Sequence, residues 1–360
     1  MKIHEILTAI EARFPLARAE KWDKVGLQIG DAKTETSRIL VAHEITPEVL
    51  EETQNDDCVV VYHPMIFRAL ENLNFADPTA RLAAECIRRN LTVIAAHTAL
   101  DNAAPPHALG DRLAQEIGLE NIDVVAPTGK ETLCKVVVFV PPEAREKVEE
   151  ALWQAGAGAL GNYERASFRT RGEGTFRPIE GANPYEGEVG KDELSDEWRV
   201  EVIAPEAQRE KIVRAMKAAH PYEEVAYEIY HIYNTDAPYG SARAGDIPPT
   251  PLDVFAETVR EKLNAPAVRL VRAGKHVSRI ACVPGSGASF LDGIARAGCD
   301  CLVTGDIKHH DALKAKALGV SLVDVTHVAT ERSTVEMLAA CFADSSVEVV
   351  RSAVETNPFS

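Results

Sequence analysis

Short apolar runs alternate with helical patterns at both ends of this chain. The runs near the amino terminus are 38–42, 58–62 and 91–96, and those near the carboxyl terminus are 278–283, 301–304 and 321–325. Each has the length of a buried strand, and amphipathic segments such as 78–90 lie between them. Alternating strands and helices are typical of an α/β fold, so the pattern predicts a mostly parallel sheet domain built from both chain ends.

The middle of the chain has a different pattern. Residues 135–144 and 198–207 both read as a strand that runs into Pro-Glu-Ala and then a helix. Two such copies predict a ferredoxin-like α+β domain inserted at residues 127–240. The α/β domain then comprises residues 1–126 and 241–360, with a Pro- and Gly-rich linker after residue 234.

Three of the predicted strands end at a histidine: His63, His97 and His327. Asp101 and Glu331 each lie four residues beyond one of these histidines, so in a helix each pair faces the same side. Ligands of parallel α/β sheets bind outside the carboxyl ends of the strands. If the three strands share a sheet, the five side chains meet in one cleft. Imidazole and carboxylate groups together favour a divalent metal site.

Simpler interpretations remain for several of these residues. His327 and Glu331 are also compatible with a hydrogen-bonded pair at the start of a helix. His309 and His310 are adjacent, so at most one of them is expected to face the cleft. His220 is equally compatible with a helix carboxyl-terminal cap.

Composition restricts the partners. The 360 residues carry a formal charge of -16 and a pI near 5.2, which argues against general affinity for nucleic acid or anionic membranes. No apolar segment reaches the roughly 18 to 20 residues that span a bilayer, and the first residues lack a signal-peptide core. Seven cysteines without regular spacing indicate reduced thiols, so we expect a cytoplasmic protein.

Several short motifs, taken together, resemble one known family. They are Trp22-Asp23 with Val25-Gly26-Leu27, His63-Pro64 with Ile66-Phe67, Ala96-His97-Thr98 with Leu100-Asp101, Gly161-Asn162-Tyr163, His220-Pro221-Tyr222-Glu223-Glu224, Gly305-Asp306 with His310, and Thr326-His327 with Thr330-Glu331. With these motifs the chain resembles the NIF-three-like dinuclear metal-centre proteins, also labelled GTP cyclohydrolase 1 type 2 homologs.

The resemblance implies two metal ions. The family's ligands are a pair of histidines before a proline, the Asp of the His-Thr segment, and the carboxyl-terminal His and Glu. In this chain they correspond to Tyr62, His63, Asp101, His327 and Glu331, and His97 adjoins them. The resemblance also implies an inserted domain similar to small signalling or metal-tolerance trimers, and a ring-shaped homohexamer.

The chain departs from the family pattern at Tyr62, where the family usually has a histidine. An isolated phenol has a pKa of roughly 10, so Tyr62 coordinates only if a metal lowers that value. One site is therefore expected to be weak, empty or filled by a different metal. Lys24 replaces the usual Asn, and His43-Glu44 stands where Leu-Asp is common. His43 is an alternative source of the missing ligand.

These observations lead to two functional hypotheses. The first is a metal-dependent hydrolase that uses one or two divalent cations per chain, with Zn, Mn, Fe and Mg not distinguished. The resemblance implies that its substrate is a nucleotide such as GTP, or another small molecule. The second is a non-enzymatic metal-binding scaffold or metal carrier whose inserted domain faces a partner. A ring around nucleic acid is disfavoured by the acidic charge.

Overall fold

The computed structural model describes residues 1–161 and 163–359, except for the side chains of residues 235–237. Asn162, part of one motif quoted above, lies outside the described residues. The chain divides into two compact units, one of residues 1–129 and 239–360 and the other of residues 130–238. The units divide between residues 129 and 130 and between residues 238 and 239, whereas the sequence predicts boundaries between 126 and 127 and between 240 and 241.

The secondary structure of the described residues alternates between strands and helices. The strands are β1 Gly26–Ile29, β2 Arg38–Ala42, β3 Cys58–Val61, β4 Thr92–Ala95, β5 Glu120–Val124, β6 Gly129–Val140, β7 Phe168–Phe176, β8 Glu193–Pro205, β9 Tyr227–Tyr239, β10 Arg243–Pro251, β11 Arg269–Val271, β12 His276–Cys282, β13 Cys301–Thr304, β14 Ser321–Asp324 and β15 Glu348–Arg351. The helices are α1 Ile3–Arg13, α2 Pro47–Glu51, α3 Pro78–Arg88, α4 His97–Asp101, α5 Leu109–Ile117, α6 Arg145–Gln154, α7 Arg209–Ala219, α8 Leu252–Lys262, α9 Leu291–Arg296, α10 His309–Ala317, α11 His327–Glu331 and α12 Thr334–Ala339.

The first sheet of the larger unit has the order β1-β4-β3-β2-β15. Strands β4, β3, β2 and β15 are parallel neighbours, whereas β1 runs antiparallel to β4. Alternate residues of β2 face opposite sides: Ile39 packs in the cluster with Ile6 of α1, and Leu40 in the cluster with Val49 of α2. Both faces are covered, so the strand reads as a continuous apolar run.

The second sheet has the order β11-β14-β13-β12-β10-β5. Its centre, β12 to β14, is parallel, and its outer strands pair antiparallel. Each sheet includes one strand from the other end of the chain, since β15 joins the first sheet and β5 joins the second. The prediction of an α/β fold is confirmed.

The three histidine-ending strands do not all share one sheet. Strands β3 and β4, which lead to His63 and His97, belong to the first sheet, whereas β14, which leads to His327, belongs to the second. An apolar run shows that a strand is buried but does not show which strands it pairs with. The larger unit therefore contains two mixed sheets in place of a single mostly parallel one.

The smaller unit contains one sheet, in the order β7-β8-β6-β9, and the helices α6 and α7. Strand β8 pairs antiparallel with both β6 and β7. Val136 and Val200 of the sheet share a buried cluster with Leu152 of α6 and Met216 of α7. The classification of this unit as ferredoxin-like stays a prediction. In the described part of the chain, no helix is both long enough and apolar enough to span a bilayer.

A buried ion pair connects strand β10 to helix α5. The Arg243 side chain is fully buried, and its guanidinium donates two hydrogen bonds to Asp111 and one, of 2.6 Å, to the carbonyl of Gly240. Asp111 also accepts a hydrogen bond of 2.9 Å from the backbone N–H of Ala108. Each partner needs the other, because an unpaired charge in the interior is costly.

We expect Asp111→Ala to destabilise the protein by about 3 to 5 kcal/mol, because it leaves the guanidinium buried without a counterion. Urea unfolding followed by circular dichroism measures this change. The adjacent Arg112→Ala is the control, because Arg112 pairs with Glu116 near the surface and its loss should cost less than about 1 kcal/mol. Equal effects of the two substitutions would contradict the assignment.

Candidate metal centre

Glu331 is the centre of a cluster of histidines. Its side chain is only 3% exposed, and it ends the short helix α11 that His327 begins. Its Oε1 atom lies 3.1 Å from Nε2 of His327, so the four-residue spacing places both on one side. Its Oε2 atom lies 3.4 Å from Nε2 of His43 and 3.5 Å from Nε2 of His63. Three imidazoles therefore face a single buried carboxylate.

The outer nitrogen of each histidine in this region is turned toward an oxygen. The Nδ1 distances are 2.9 Å from His43 to Thr334, 3.9 Å from His63 to Glu44, 2.8 Å from His97 to Asp23, and 2.7 Å from His327 to Asp306. Histidines that bind metals usually place their second nitrogen against such an oxygen, which fixes the orientation of the ring. The arrangement leaves Nε2 of His43, His63 and His327 directed at Glu331.

Tyr62 lies next to this cluster and is almost completely buried. Its hydroxyl donates a hydrogen bond of 2.9 Å to Oδ1 of Asp101 and lies 3.4 Å from Oε1 of Glu331. Burial raises the pKa of Tyr62 well above its usual value, and the nearby carboxylates raise it further. Burial also raises the pKa of Asp101, to about 7. In the metal-free protein Tyr62 is therefore a neutral hydrogen-bond donor.

The charges of the other groups depend on their partners. Burial lowers the pKa of His63 to about 3, so its imidazole is neutral at physiological pH. Burial is the largest influence on Glu331 and by itself would raise its pKa, but the interactions with His327, His43 and His63 together outweigh burial and hold the pKa at about 2. Burial would likewise lower the pKa of His327, yet its bonds to Glu331 and Asp306 raise it to about 9.

The backbone around the cluster is strained at several positions. His97, Asp306 and Thr326 have φ angles of +24°, +56° and +79°, which are uncommon for residues other than glycine. The His97 ring lies beside that of His63, Asp306 lies 2.7 Å from Nδ1 of His327, and Thr326 directly precedes His327. Such strain persists where surrounding contacts hold it in place, and it is concentrated at functional sites.

The structure brings most of the sequence-predicted residues together. His63, Asp101, His327, Glu331 and Tyr62 form one group, and the His97 ring lies 5.3 Å from that of His63 and 5.2 Å from that of Tyr62. His43 is a member that the sequence pattern gave little weight, although it follows strand β2 in the way that His63 follows β3. A cleft opens beside this group, and among the described residues neither His309 nor His310 lines it.

This cleft has a volume of about 450 Å³ and opens beside Tyr62, His97, Asp101, His327 and Glu331. Its walls include the aromatic rings of Trp22, Phe67 and Phe290, and its polar lining includes Asn102, Ser286 and Ser289. A mostly preformed cleft with apolar walls and a few polar groups is typical of a small-molecule site.

Comparison with known proteins gives the family. A model of the Duf34/NIF3 (NGG1p interacting factor 3) family matches residues 1–358. The chain belongs to the DUF34/NIF3 family. It is 36% identical over 364 residues to the GTP cyclohydrolase 1 type 2 homolog of Bacillus subtilis, covering 99% of this chain and 97% of the relative. It is 35% identical over 337 residues to the Mycobacterium bovis homolog, covering 92% and 88%.

Solved structures of the NIF3 family share the fold. A Bacillus cereus protein related to NIF3 superposes with a TM-score of 0.87 at 34% identity, covering 100% of this chain and 99% of that one. The resemblance noted from the sequence motifs is therefore confirmed. In this NIF3-family chain, Tyr62 places a hydroxyl against Asp101 at a position where the motif predicts an imidazole.

Gly285 packs directly against Glu331 and His327, so a substitution there shows how tightly the cluster is packed. Its φ is +62°, and a Cβ atom there would lie 2.5 Å from Oε1 of Glu331. We expect Gly285→Ala to displace Glu331 and lower the melting temperature of the metal-free protein. Gly298→Ala is the matched control, because Gly298 has a φ of +74° but open space around it, so only the left-handed strain of about 1 to 2 kcal/mol applies. A Gly285→Ala variant as stable as the control would contradict this packing.

Proposed function

We propose that this NIF3-family protein binds divalent cations at Glu331 and acts as a metal-dependent hydrolase. The observation that carries the proposal is the Oε2 atom of Glu331. It is buried and has no hydrogen-bond partner among the described residues, although two histidine nitrogens lie within 3.5 Å of it. A buried carboxylate oxygen without a partner costs free energy, and a cation shared with the imidazoles removes that cost.

The residues present fit a divalent cation. One ligand atom each from His63, His327 and Glu331 lies within 4.8 Å of the others, and Asp101 is joined to Glu331 through the Tyr62 hydroxyl. Neutral nitrogen and anionic oxygen are the donors that Zn, Mn and Fe accept in proteins. We propose His63, Asp101, His327 and Glu331 as ligands for one or two ions, with Tyr62 and His97 adjoining them. A bound cation supplies Lewis-acid polarisation and lowers the pKa of bound water to about 7.

The side chains around the centre suit a small substrate. Trp22 and Phe67 lie with their ring centroids 5.9 Å apart and line the cleft beside His97. Such rings bind planar or apolar groups by stacking and exclude water from the reacting atoms. The name of the relatives, GTP cyclohydrolase 1 type 2 homolog, supports a nucleotide as the first substrate class to screen. The substrate itself stays a prediction.

The first test is Glu331→Gln, which keeps the shape of the side chain but removes its charge. We expect its affinity for zinc to fall by about 100-fold or more, together with loss of any hydrolysis of nucleoside triphosphates, because both sides of the cluster lose their shared ligand. Metal analysis of the purified proteins and phosphate- or formate-release assays measure the two effects. Glu336→Gln, on the exposed part of α12, is the control. Undiminished metal content in Glu331→Gln would refute the proposal.

The second test concerns Tyr62. Because its phenol is neutral, we expect Tyr62→His to tighten zinc binding on the Oε1 side of Glu331 by at least about 10-fold, whereas Tyr62→Phe should give no such gain. Calorimetric titration of zinc into the metal-free variants compares the affinities. If Tyr62→His binds zinc no more tightly than Tyr62→Phe, Tyr62 does not limit the zinc affinity of the centre.

A metal-binding scaffold or metal carrier is the second candidate function. The observation that favours it is the hydrogen bond from Tyr62 to Asp101, which occupies a carboxylate that the family motif assigns to metal. Stoichiometric metal transfer without turnover of any tested substrate distinguishes it from a hydrolase. The homohexamer also stays a prediction, and light scattering coupled to size-exclusion chromatography measures it.

A further inference from the structure

His43 and Glu44 directly follow strand β2 and lie outside the ligand set that the family motifs imply. We infer that, together with His63, they form a second position for a divalent cation, adjoining the one formed by His63, His327 and Glu331. The inference rests on the proposed function, because it extends the same centre. It gives a defined position to His43, which the sequence offers as an alternative ligand, and adds Glu44 as a ligand.

The three side chains are already close enough to share an ion. One ligand atom from each of His43, Glu44 and His63 lies within 4.8 Å of the others. The two imidazole rings are 4.6 Å apart between centroids, and Oε2 of Glu44 lies 3.9 Å from Nδ1 of His63. Glu44 is 36% exposed, so the position is open to solvent on that side. A cation can therefore reach it without opening the core.

The contact between His43 and Glu331 also points to a cation. Nε2 of His43 and Oε2 of Glu331 are both buried, lie 3.4 Å apart, and have no hydrogen-bond partner among the described residues. Two electron-rich atoms that face each other in the interior are unfavourable unless a positive charge lies near both. A cation held by His43 and His63 provides that charge.

The outer side of His43 favours the ligand form of its ring. Nδ1 lies 2.9 Å from the hydroxyl of Thr334, and when Nδ1 donates its proton there, Nε2 carries a free lone pair. The ring also stacks on Tyr62, with centroids 5.4 Å apart and planes inclined by 25°. Its orientation is thus fixed from two sides, as the ring of a metal ligand needs to be.

His43 also offers an imidazole near Tyr62, the position where the family motif has a histidine and this chain does not. Tyr62 presents a neutral hydroxyl on the Oε1 side of Glu331, whereas His43 presents a nitrogen on the Oε2 side. The centre therefore retains a third imidazole around Glu331, but displaced to the opposite oxygen. The second ion is expected to bind nearer to Glu44 than the family motif implies.

The test is a calorimetric titration of zinc chloride into the metal-stripped full chain, with cobalt(II) absorbance as a second readout. We expect His43→Gln and Glu44→Gln each to weaken one zinc-binding event by at least about 10-fold, while the event that depends on His327 keeps its affinity. The matched controls are His231→Gln and Glu48→Gln, which make the same chemical changes at exposed positions. The cobalt spectrum should lose intensity in the same two variants.

The possible failures are distinguishable. If both variants titrate like their controls while the wild type binds zinc, the inference is overturned and the Glu331 site stands. If the wild type binds no zinc, the inference and the proposed function are both overturned. If His43→Gln does not fold, Glu44→Gln still decides the question, because its side chain is partly exposed and its removal leaves the core intact.

Discussion

The candidate metal centre of the larger unit is arranged around one buried carboxylate. Glu331 lies where the carboxyl ends of strands from two different sheets approach each other, and its oxygens are approached by His63 from the first sheet and His327 from the second. A charge in such a place is tolerated only with close partners of opposite or adaptable charge. The histidines, their outer oxygens and the strained backbone at His97 and Thr326 all serve that requirement.

Much of the centre could be predicted from the sequence. The spacing of His97 and Asp101, and that of His327 and Glu331, places each pair in a short helix after a strand, because the four-residue repeat of a helix is a local property. The end of an apolar run predicts His63, and the family resemblance assigns Tyr62 to the position beside it. These signals lie within a few residues of each other, so no knowledge of the tertiary fold is needed to read them.

Other features could not be predicted, because they depend on contacts between distant residues. Assigning β3 and β14 to different sheets requires knowing which strands pair, and the apolar run of a buried strand looks the same in either sheet. The role of His43 depends on Thr334, which is 291 residues away, and that of Asp23 depends on His97. The neutral state of Tyr62 likewise follows from its burial beside Asp101, which a motif does not show.

The exchange of edge strands has a consequence for how the protein is made. Strand β15 completes the first sheet beside β2, so that sheet is whole only once residue 351 has been synthesised. Strand β5 pairs with β10 in the second sheet, which is whole only once β14 has ended at residue 324. Glu331, the carboxylate that His43 and His63 contact, is synthesised close to the carboxyl terminus. Residues 130–238, by contrast, contain their own hydrophobic cluster. Translation thus completes residues 130–238 before Glu331, the central carboxylate of the candidate metal centre, is made.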